Sequence, residues 1–490
     1  MSVAATGTGT APVPESPADP EADPDRARRR RRLVPLVVAS ALFMENLDAT
    51  IIATALPAMA ASFDTTPTAL SLGITVYMLA LGVFIPVSGW AADRWGTRTV
   101  FAWAIAGFVA ASVLCGISQD LWFFIFARIL QGAAAAMMSP VGRLVVLRGT
   151  PKSELFNAIT WITWPSLVAP VVGPALGGFF VGHLSWHWIF FVNVPIGLAG
   201  IVLVLRFVPN IRGGDRIFDW VGLVLTAATL ACLLFALDVL GHGGASWSLA
   251  AALLAVGAVL GHFAIRHAAR SPHPLVGLGP FLIASFRIAT LTGGGFFRLT
   301  AGAMPFVLPL FFQLGFGMTA LDAGLLVLAY AAGNLGMKSI TRPTIRRFGF
   351  RPTILLNGVV VGATILACAF LEPGTPTAAT ILVLFVAGCL RSLQLTGLQT
   401  LTYVDVPPPL QSAATTIASM LQPILGSVGV AVCAVTLSLS ADLRGAETLG
   451  MADFRLVLVG LAVTAAVSVL PFLRLPADVG DEVAGHRPRA

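Results

Sequence analysis

Charged residues are scarce in this chain of 490 residues. Asp, Glu, Lys and Arg together make up 11% of it, whereas hydrophobic residues make up 57%. A soluble protein of this size normally carries about 25% charged residues. The deficit excludes a soluble globular protein, and it favours a membrane protein with many spans over an enzyme with a single anchor.

Signatures of common catalytic and metal-binding proteins are also missing. The sequence has no Walker motif, so ATP does not drive the protein directly. Its seven histidines show no zinc-binding spacing, and its five cysteines all lie inside apolar runs, where they are expected to pack as small residues. We therefore predict that the protein is not an enzyme and that it holds neither a metal nor a cofactor.

What the sequence does contain is long apolar runs. A helix needs about 20 predominantly apolar residues to cross a bilayer. Fourteen runs meet this requirement, and they predict an all-α membrane protein with fourteen spans. The runs are 33–60, 70–92, 99–118, 121–148, 155–181, 186–208, 217–240, 246–266, 286–313, 321–342, 352–372, 377–403, 410–438 and 453–475.

The net charge of +7 comes largely from basic residues in alternate loops, such as Arg94 with Arg98 and Arg148 with Lys152. This distribution reports topology and does not indicate nucleic-acid binding. By the positive-inside rule, both termini are predicted to be cytoplasmic, in the cell membrane. The loop at 405–410 has no positive charge, which is an exception to the pattern.

Two short motifs occur twice, in matching places. Arg-Trp-Gly-Thr-Arg at 94–98 returns as Arg-Phe-Gly-Phe-Arg at 347–351, and Arg-Ile-Leu-Gln at 128–131 returns as Arg-Ser-Leu-Gln at 391–394. The first pair follows the second and tenth spans, and the second pair lies in the fourth and twelfth. Two similar membrane halves are typical of secondary transporters.

The repeat divides the chain into two six-helix bundles with two inserted helices between them. The expected segments are a disordered basic cytoplasmic tail at 1–32, the first bundle at 33–208, a linker with the inserted helices at 209–285, the second bundle at 286–475 and a cytoplasmic tail at 476–490.

The first span carries two carboxylates, Glu45 and Asp48, on one helix face. At 1.5 Å per residue they lie about 18 and 22 Å from its cytoplasmic start, and Arg128 of the fourth span reaches about the same depth. Burial favours the neutral carboxyl group and a nearby arginine favours the charged one. We expect a buried charge cluster in which Asp48 or Glu45 couples transport to protons. The alternative is a static ion pair that fixes helix packing.

Arginines also lie deep in the second half. Arg298 and Arg391 are about 18 and 21 Å into their spans, where few acids match them. They can bind anionic groups of a substrate or bond to backbone carbonyls. We assign Arg298, Arg391, Gln131 and Gln394 to a candidate substrate cavity. The acids favour cationic substrates and the arginines favour anionic ones, so the substrate charge stays open.

The fifth span is dense in glycine and proline, at Pro170, Gly173, Pro174, Gly177 and Gly178. Glycines let helices approach closely, and proline bends a helix. This predicts a kinked, tightly packed helix that seals one half against the other. The alternative is a set of ordinary packing glycines.

Five motifs resemble signatures of the major facilitator superfamily, and in particular of its fourteen-span drug:proton antiporter family of the EmrB/QacA type. They are the helix-1 motif at 47–57, the loop motif at 89–98, the helix-4 motif at 128–132, the helix-5 antiporter motif at 173–178 and the helix-6 motif at 186–197. His187 stands where that family more usually has arginine.

The resemblance implies a cytoplasmic gate formed by Gly89, Asp93, Arg94, Gly96 and Arg98. Arg98 would hold the Asp93 carboxylate at the start of the eleventh span (352–372), where a negative charge is favoured. The resemblance also implies that Arg128 assists proton transfer and that Asp48 couples protons to substrate.

The expected function is proton-driven export of amphipathic drugs, biocides or antibiotics by alternating access. The partners would be a small-molecule substrate, protons and the lipid bilayer, with no nucleic acid, and we expect the protein to function as a monomer. The alternatives are a dedicated exporter of one endogenous metabolite, an importer and a lipid flippase. A non-transporting scaffold would leave the buried charges without use.

Overall fold

A computed structural model describes residues 24–65, 67–214, 217–241, 247–445 and 449–480 of the chain. Every regular element in these ranges is helical. The α-helices are α1 (Pro24–Ser62), α2 (Pro67–Trp95), α3 (Thr97–Gly116), α4 (Leu121–Gly149), α5 (Lys152–His183), α6 (Trp188–Phe191), α7 (Asn193–Phe207), α8 (Trp220–Gly241), α9 (Trp247–Arg270), α10 (Ala284–Thr290), α11 (Gly293–Leu310), α12 (Ala320–Gly336), α13 (Lys338–Phe348), α14 (Phe350–Ala369), α15 (Thr377–Leu401), α16 (Gln411–Leu443) and α17 (Met451–Val467). A π-helix (Phe311–Gly315) extends α11, and short 3-10 helices lie at Gly279–Leu282, Pro408–Leu410 and Leu470–Arg474.

Each predicted apolar run coincides with a helix or with a broken pair of helices, which confirms the all-α membrane fold. Within the part of the chain that the structure describes, twelve helices are long and apolar enough to span a membrane. The number is thirteen if α12 and α13, bent by 50° at their junction, form one span. The helix α5 contains residues whose side chains the structure does not describe, and it is not among them. The count of fourteen spans therefore stays a prediction.

The helices pack as two bundles with the same internal order. In the first half, α1 packs on α5, α2 on α4, and α3 on α4 and α7. In the second half, α11 packs on α16, α12 on α15, and α14 on α15 and α17. The inserted helices α8 and α9 pack on each other, and α8 also touches α2 and α16, one helix from each half.

A glycine with positive φ ends the second helix of each half. Gly96 has φ 91° between α2 and α3, and Gly349 has φ 81° between α13 and α14. L-residues rarely adopt this conformation, so glycine relieves the strain of the tight turn. The glycine that the duplicated motif repeats therefore performs the same backbone task twice.

The N-terminal segment differs from the expected disordered tail 1–32. Helix α1 begins at Pro24, so the arginine-rich end of the tail continues the first span as helix. Arginine is a good helix former, which explains the extension. Residues 1–23 and 481–490 lie outside the described ranges, and the tail assignments there stay predictions.

Candidate functional site

A central space lies between the two halves. It consists of two adjoining cavities of about 240 and 380 Å³, close to the size of pockets that hold small molecules. Helices α1, α4, α11, α15 and α16 contribute to the walls of both cavities. The residues that line both cavities are Leu42, Asn46, Arg143, Arg298, Arg391, Leu395 and Gln422.

The predicted cluster of two carboxylates and one arginine is divided. Asp48 and Arg128 meet inside the first bundle, where Arg128 Nη1 lies 2.7 Å from Asp48 Oδ2 and neither side chain is exposed. Glu45 instead lines the larger cavity, where Ser139 Oγ donates to its carboxylate oxygens at 3.2 and 3.3 Å. Positions three apart on a helix differ by about 60° in direction. This rotation places one carboxylate in the cavity and the other inside the bundle.

Asp48 is fully supplied with donors. Besides Arg128, its Oδ1 accepts from Gln131 Nε2 at 2.9 Å and from Asn193 Nδ2 at 3.0 Å. Gln131 and Asn193 also donate to Ser112 Oγ, at 2.8 and 3.2 Å. The network joins α1, α3, α4 and α7. No function was predicted for Asn193 from the sequence, although this residue lies in the helix-6 motif.

The assignment of the two glutamines to the substrate cavity is wrong. Gln131 is buried in the Asp48 network. Gln394 accepts from Asn357 Nδ2 at 2.8 Å and donates to Ile354 O at 3.2 Å. In each half, a side-chain hydrogen bond connects the glutamine on the fourth helix of the repeat to the third helix. Gln131 bonds to Ser112, and Gln394 bonds to Asn357. The paired glutamines therefore serve packing, because their helix faces point into the bundles.

The two second-half arginines face the central space, and their role in substrate binding stays a prediction. Arg298 and Arg391 line both cavities. Arg298 Nη1 donates to Ala289 O at 2.5 Å, and Arg391 Nη2 donates to Ala301 O at 3.0 Å. Each arginine therefore bonds to a backbone carbonyl while it lines the cavity.

Two further basic residues, Arg143 and Lys338, line the cavity but were not predicted from the sequence. Arg143 of α4 donates to Ser419 Oγ at 3.3 Å and to Gln422 Oε1 at 3.1 Å, across the boundary between the halves. Lys338 Nζ donates to Thr396 Oγ1 at 2.5 Å, and Lys338 is 4% exposed. Lys338 lies near the end of a predicted span. The 50° bend between α12 and α13 at this point gave no clear sequence signal.

Of the predicted gate residues, Gly89 lies where α2 of the first half meets α16 of the second. Ser412 Oγ donates to Gly89 O at 3.1 Å, and a Cβ on Gly89 would lie 2.5 Å from Thr416 Oγ1. The buried Asp93 accepts from Arg148 Nη2 at 2.7 Å. The expectation that α2 meets the eleventh span was wrong, because the second-half helix packed here is α16.

The basic residues of the gate motif occupy the surface of this region. Arg94 is exposed at the end of α2, and Arg98 is half-buried in the first turn of α3. Asp93 forms its ion pair with Arg148, from the end of α4. From the sequence alone, Arg148 is recognisable only as a basic residue of a cytoplasmic loop.

The glycine-rich helix α5 contacts both halves. A Cβ on Gly173 would lie 2.4 Å from Thr50 Oγ1, so this glycine permits the close packing of α1 on α5. Gly177 is buried and Gly178 is exposed, with no atom near its Cβ position. Helix α5 also packs against α12, α13 and α15. The side chains of Pro170 and Pro174 lie outside the described residues.

The paired bundles, the central cavity and the doubled loop motif agree with a comparison to known families. The model of the Major Facilitator Superfamily matches residues 38–430. The chain belongs to this superfamily. It is a membrane transporter and not an enzyme.

Relatives and solved structures agree with this assignment. The chain is 36% identical over 456 residues to "Putative multidrug resistance protein MdtD" of Klebsiella pneumoniae (strain 342), covering 92% of this chain and 96% of the relative. It is 35% identical over 455 residues to the protein of the same name in Escherichia coli O1:K1 / APEC, with the same coverage. The fold resembles that of the proton:xylose symporter XylE, with TM-score 0.62, 12% identity, and 93% of this chain and 98% of that chain covered.

Proposed function

We propose that this protein exports small molecules by alternating access in the bacterial cytoplasmic membrane, with both termini cytoplasmic, and that proton exchange at Glu45 drives the export. The relatives named multidrug resistance proteins support export, and the antiporter resemblance of α5 supports proton exchange. The observation that carries the proposal is the position of Glu45. Among the described residues that line the cavity, it is the carboxylate within reach of water and substrate.

Asp48 is the weaker candidate for the proton-binding group. Protonation of Asp48 would leave the Arg128 guanidinium buried without a counter-charge, and breaking a buried pair in this way costs about 3–5 kcal/mol. Asp48 is therefore better suited to fixing the packing of the bundle than to binding protons. With Arg128 it acts as a positioning pair that fixes the face of α1 and so directs Glu45 into the cavity.

Glu45 has no comparable restraint. Its hydrogen bonds come from the hydroxyl of Ser139, which can donate to a carboxylate or accept from a carboxylic acid. Both protonation states are therefore satisfied in the same geometry. A group of this kind can exchange a proton without rearranging the bundle.

The gate supplies the conformational part of the proposal. On the predicted cytoplasmic side, α2 contacts α16 at Gly89, and the rings of Phe156 and Phe350 lie 6.2 Å apart across the halves. Opening this side requires these contacts to separate. The Asp93–Arg148 pair joins α2 to α4 within the first half, so it keeps that half rigid while the bundles rock.

The test is substrate-induced proton movement in proteoliposomes that contain a trapped pH-sensitive dye, with a panel of cationic, neutral and anionic compounds. Glu45→Gln should abolish proton movement while leaving substrate binding measurable. Glu372→Gln is the matched control, because Glu372 is an exposed partner of Arg455 at the protein surface. Full proton coupling in Glu45→Gln would refute the role of this residue, and no proton movement by any compound in the wild type would refute proton-driven export.

A further inference from the structure

We propose that the substrates of the central cavity are amphipathic organic anions, bearing carboxylate, sulfonate or phosphate groups. This inference rests on the proposed export function and specifies its substrate class. It follows from the charges of the cavity wall, from their hydrogen-bond partners and from their distribution over the two halves.

The cavity wall is strongly basic. The smaller cavity is lined by four cations, Arg143, Arg298, Lys338 and Arg391, and by no carboxylate among the residues the structure describes. The larger cavity has three of these cations together with Glu45. Asp48 does not offset this charge, because it is paired with Arg128 outside the cavity. Walls with one sign of charge attract ligands of the opposite sign.

None of the four cations forms an ion pair with a described residue. Arg143 donates to a hydroxyl and an amide oxygen, Lys338 to a hydroxyl, and Arg298 and Arg391 to backbone carbonyls. In addition, Nε of Arg391 is buried and has no hydrogen-bond partner in the described part of the chain. Buried charges are costly unless they are paired. A bound anion would supply the missing counter-charge.

The cations come from both halves of the transporter. Arg143 lies on α4 of the first half, whereas Arg298, Lys338 and Arg391 lie on α11, α13 and α15 of the second. An anion held among them would bridge the bundles, as a substrate must during alternating access. Lys338 is the first residue of α13 after the bend, so its position depends on the angle between α12 and α13. The bend therefore brings a cation into the cavity.

Apolar side chains complete the lining, including Leu42, Val146, Ile159 and Leu395. They fit the apolar body of an amphipathic molecule while the cations hold its acidic group. Export of an anion from a cell with a negative interior is also favoured by the membrane potential. An anionic substrate is therefore compatible with export, because the membrane potential drives it outward in addition to any contribution from the proton gradient.

The decisive experiment compares two dyes with the same xanthene core and opposite charge. Fluorescein, as its dianion at mildly alkaline pH, and tetramethylrhodamine methyl ester, a cation, are titrated with the purified full-length protein in detergent, and binding is followed by fluorescence anisotropy. We expect fluorescein to bind at least about tenfold more tightly, and its affinity to fall as salt is added.

Variants locate the binding charges. Arg298→Gln, Lys338→Gln and Arg391→Gln should each weaken fluorescein binding by about tenfold, since each removes one charge from a poorly solvated wall. Arg391→Lys should retain most of the affinity. Arg266→Gln is the matched control, because Arg266 is exposed on α9, away from the cavity, and its loss should leave the affinity unchanged. Gel filtration and thermal unfolding establish that each variant is folded.

Two results would overturn the inference: equal or tighter binding of the cationic dye, or folded Gln variants with unchanged fluorescein affinity. The latter would show that the cations only brace backbone carbonyls. Proton-driven export of the cationic dye without fluorescein binding would reject the anion class and leave the proposed function standing. Fluorescein binding without export of any compound would reject the proposed function instead.

Discussion

Substitution of Asp48 by asparagine is the single change that best distinguishes the structural role of Asp48 from that of Glu45. The asparagine would keep the size of the side chain and its contacts with Gln131 and Asn193, but it would remove the charge that faces Arg128 at 2.7 Å. Arg128 would remain 0% exposed. Its Nη2 already lacks a hydrogen-bond partner in the described part of the chain. The guanidinium would thus be left buried and uncompensated.

The expected loss of stability is about 3–5 kcal/mol, the usual result of removing one partner from a buried ion pair. The same change at Glu45 should cost at most about 1 kcal/mol, because Glu45→Gln only exchanges one hydrogen bond with Ser139 at the edge of a cavity. Replacement of both members of the pair, with Asp48→Asn and Arg128→Gln, should cost less than the sum of the single changes, since no unpaired charge remains.

The measurement is thermal or denaturant unfolding of the purified protein in detergent, followed through its ten tryptophans. Wild type, Asp48→Asn, Glu45→Gln, Arg128→Gln and the double variant are compared under one condition. If Asp48→Asn is no less stable than Glu45→Gln, the ion pair is not the positioning element inferred above. Strictly additive losses in the double variant would lead to the same conclusion.

Three further predictions concern the gate and the inserted helices. Gly89→Leu should push α2 away from α16, because even a Cβ would lie 2.5 Å from Thr416 Oγ1, and increased labelling of cysteines introduced on the cytoplasmic side would measure the opening. Gly96→Ala should destabilise the fold by about 1–2 kcal/mol, measured by unfolding, since its φ is 91°. Burial raises the pKa of Asp219, but hydrogen bonds from two backbone amides and from His267 outweigh it, so the pKa lies below its usual value. The stability that Asp219 contributes should therefore be present above the unfolded-state pKa of about 4 and be lost as pH falls through the lower folded pKa. As a result, the melting temperature of the Asp219→Asn variant should change less on acidification than that of the wild type.

The sequence predicted the helices well because span length is a one-dimensional property. A run of about 20 apolar residues specifies a span without any knowledge of its neighbours. The same holds for depth, since 1.5 Å per residue placed Glu45, Asp48 and Arg128 at one level. The duplicated glycine at 96 and 349 was equally accessible, because the turn geometry is local.

The direction of each side chain around its helix was not accessible in this way. Glu45 and Asp48 share a face by spacing, yet only the packing of α4 and α7 on α1 decides which of them enters the bundle. Gln131 and Gln394 were misassigned for the same reason. The position of Lys338 in the cavity depends on the bend between α12 and α13, and no local sequence pattern predicts this bend.

The duplicated arginines show how two halves with one design acquire different roles. Arg128 and Arg391 occupy equivalent positions in the repeat, on α4 and α15. The first-half partner helix α1 carries Asp48, which neutralises Arg128 inside the bundle. The equivalent helix α11 carries no acid, and in its place it presents another cation, Arg298. Arg391 thus has no internal counter-charge, and it turns to the cavity and to a backbone carbonyl.

This difference assigns the proposed proton exchange to the first half and the proposed anion binding to the second. The first half holds its arginine in an ion pair and directs Glu45 to the cavity, which suits proton exchange. The second half leaves its cations unpaired, which suits the binding of an anion. The division predicts that transfer of an acid to α11 opposite Arg391, by Ala301→Asp, would neutralise the charge of Arg391. Fluorescein binding should then weaken while proton binding at Glu45 persists. Unchanged fluorescein affinity in the folded variant would show that the unpaired state of Arg391 has no part in recognising the anion.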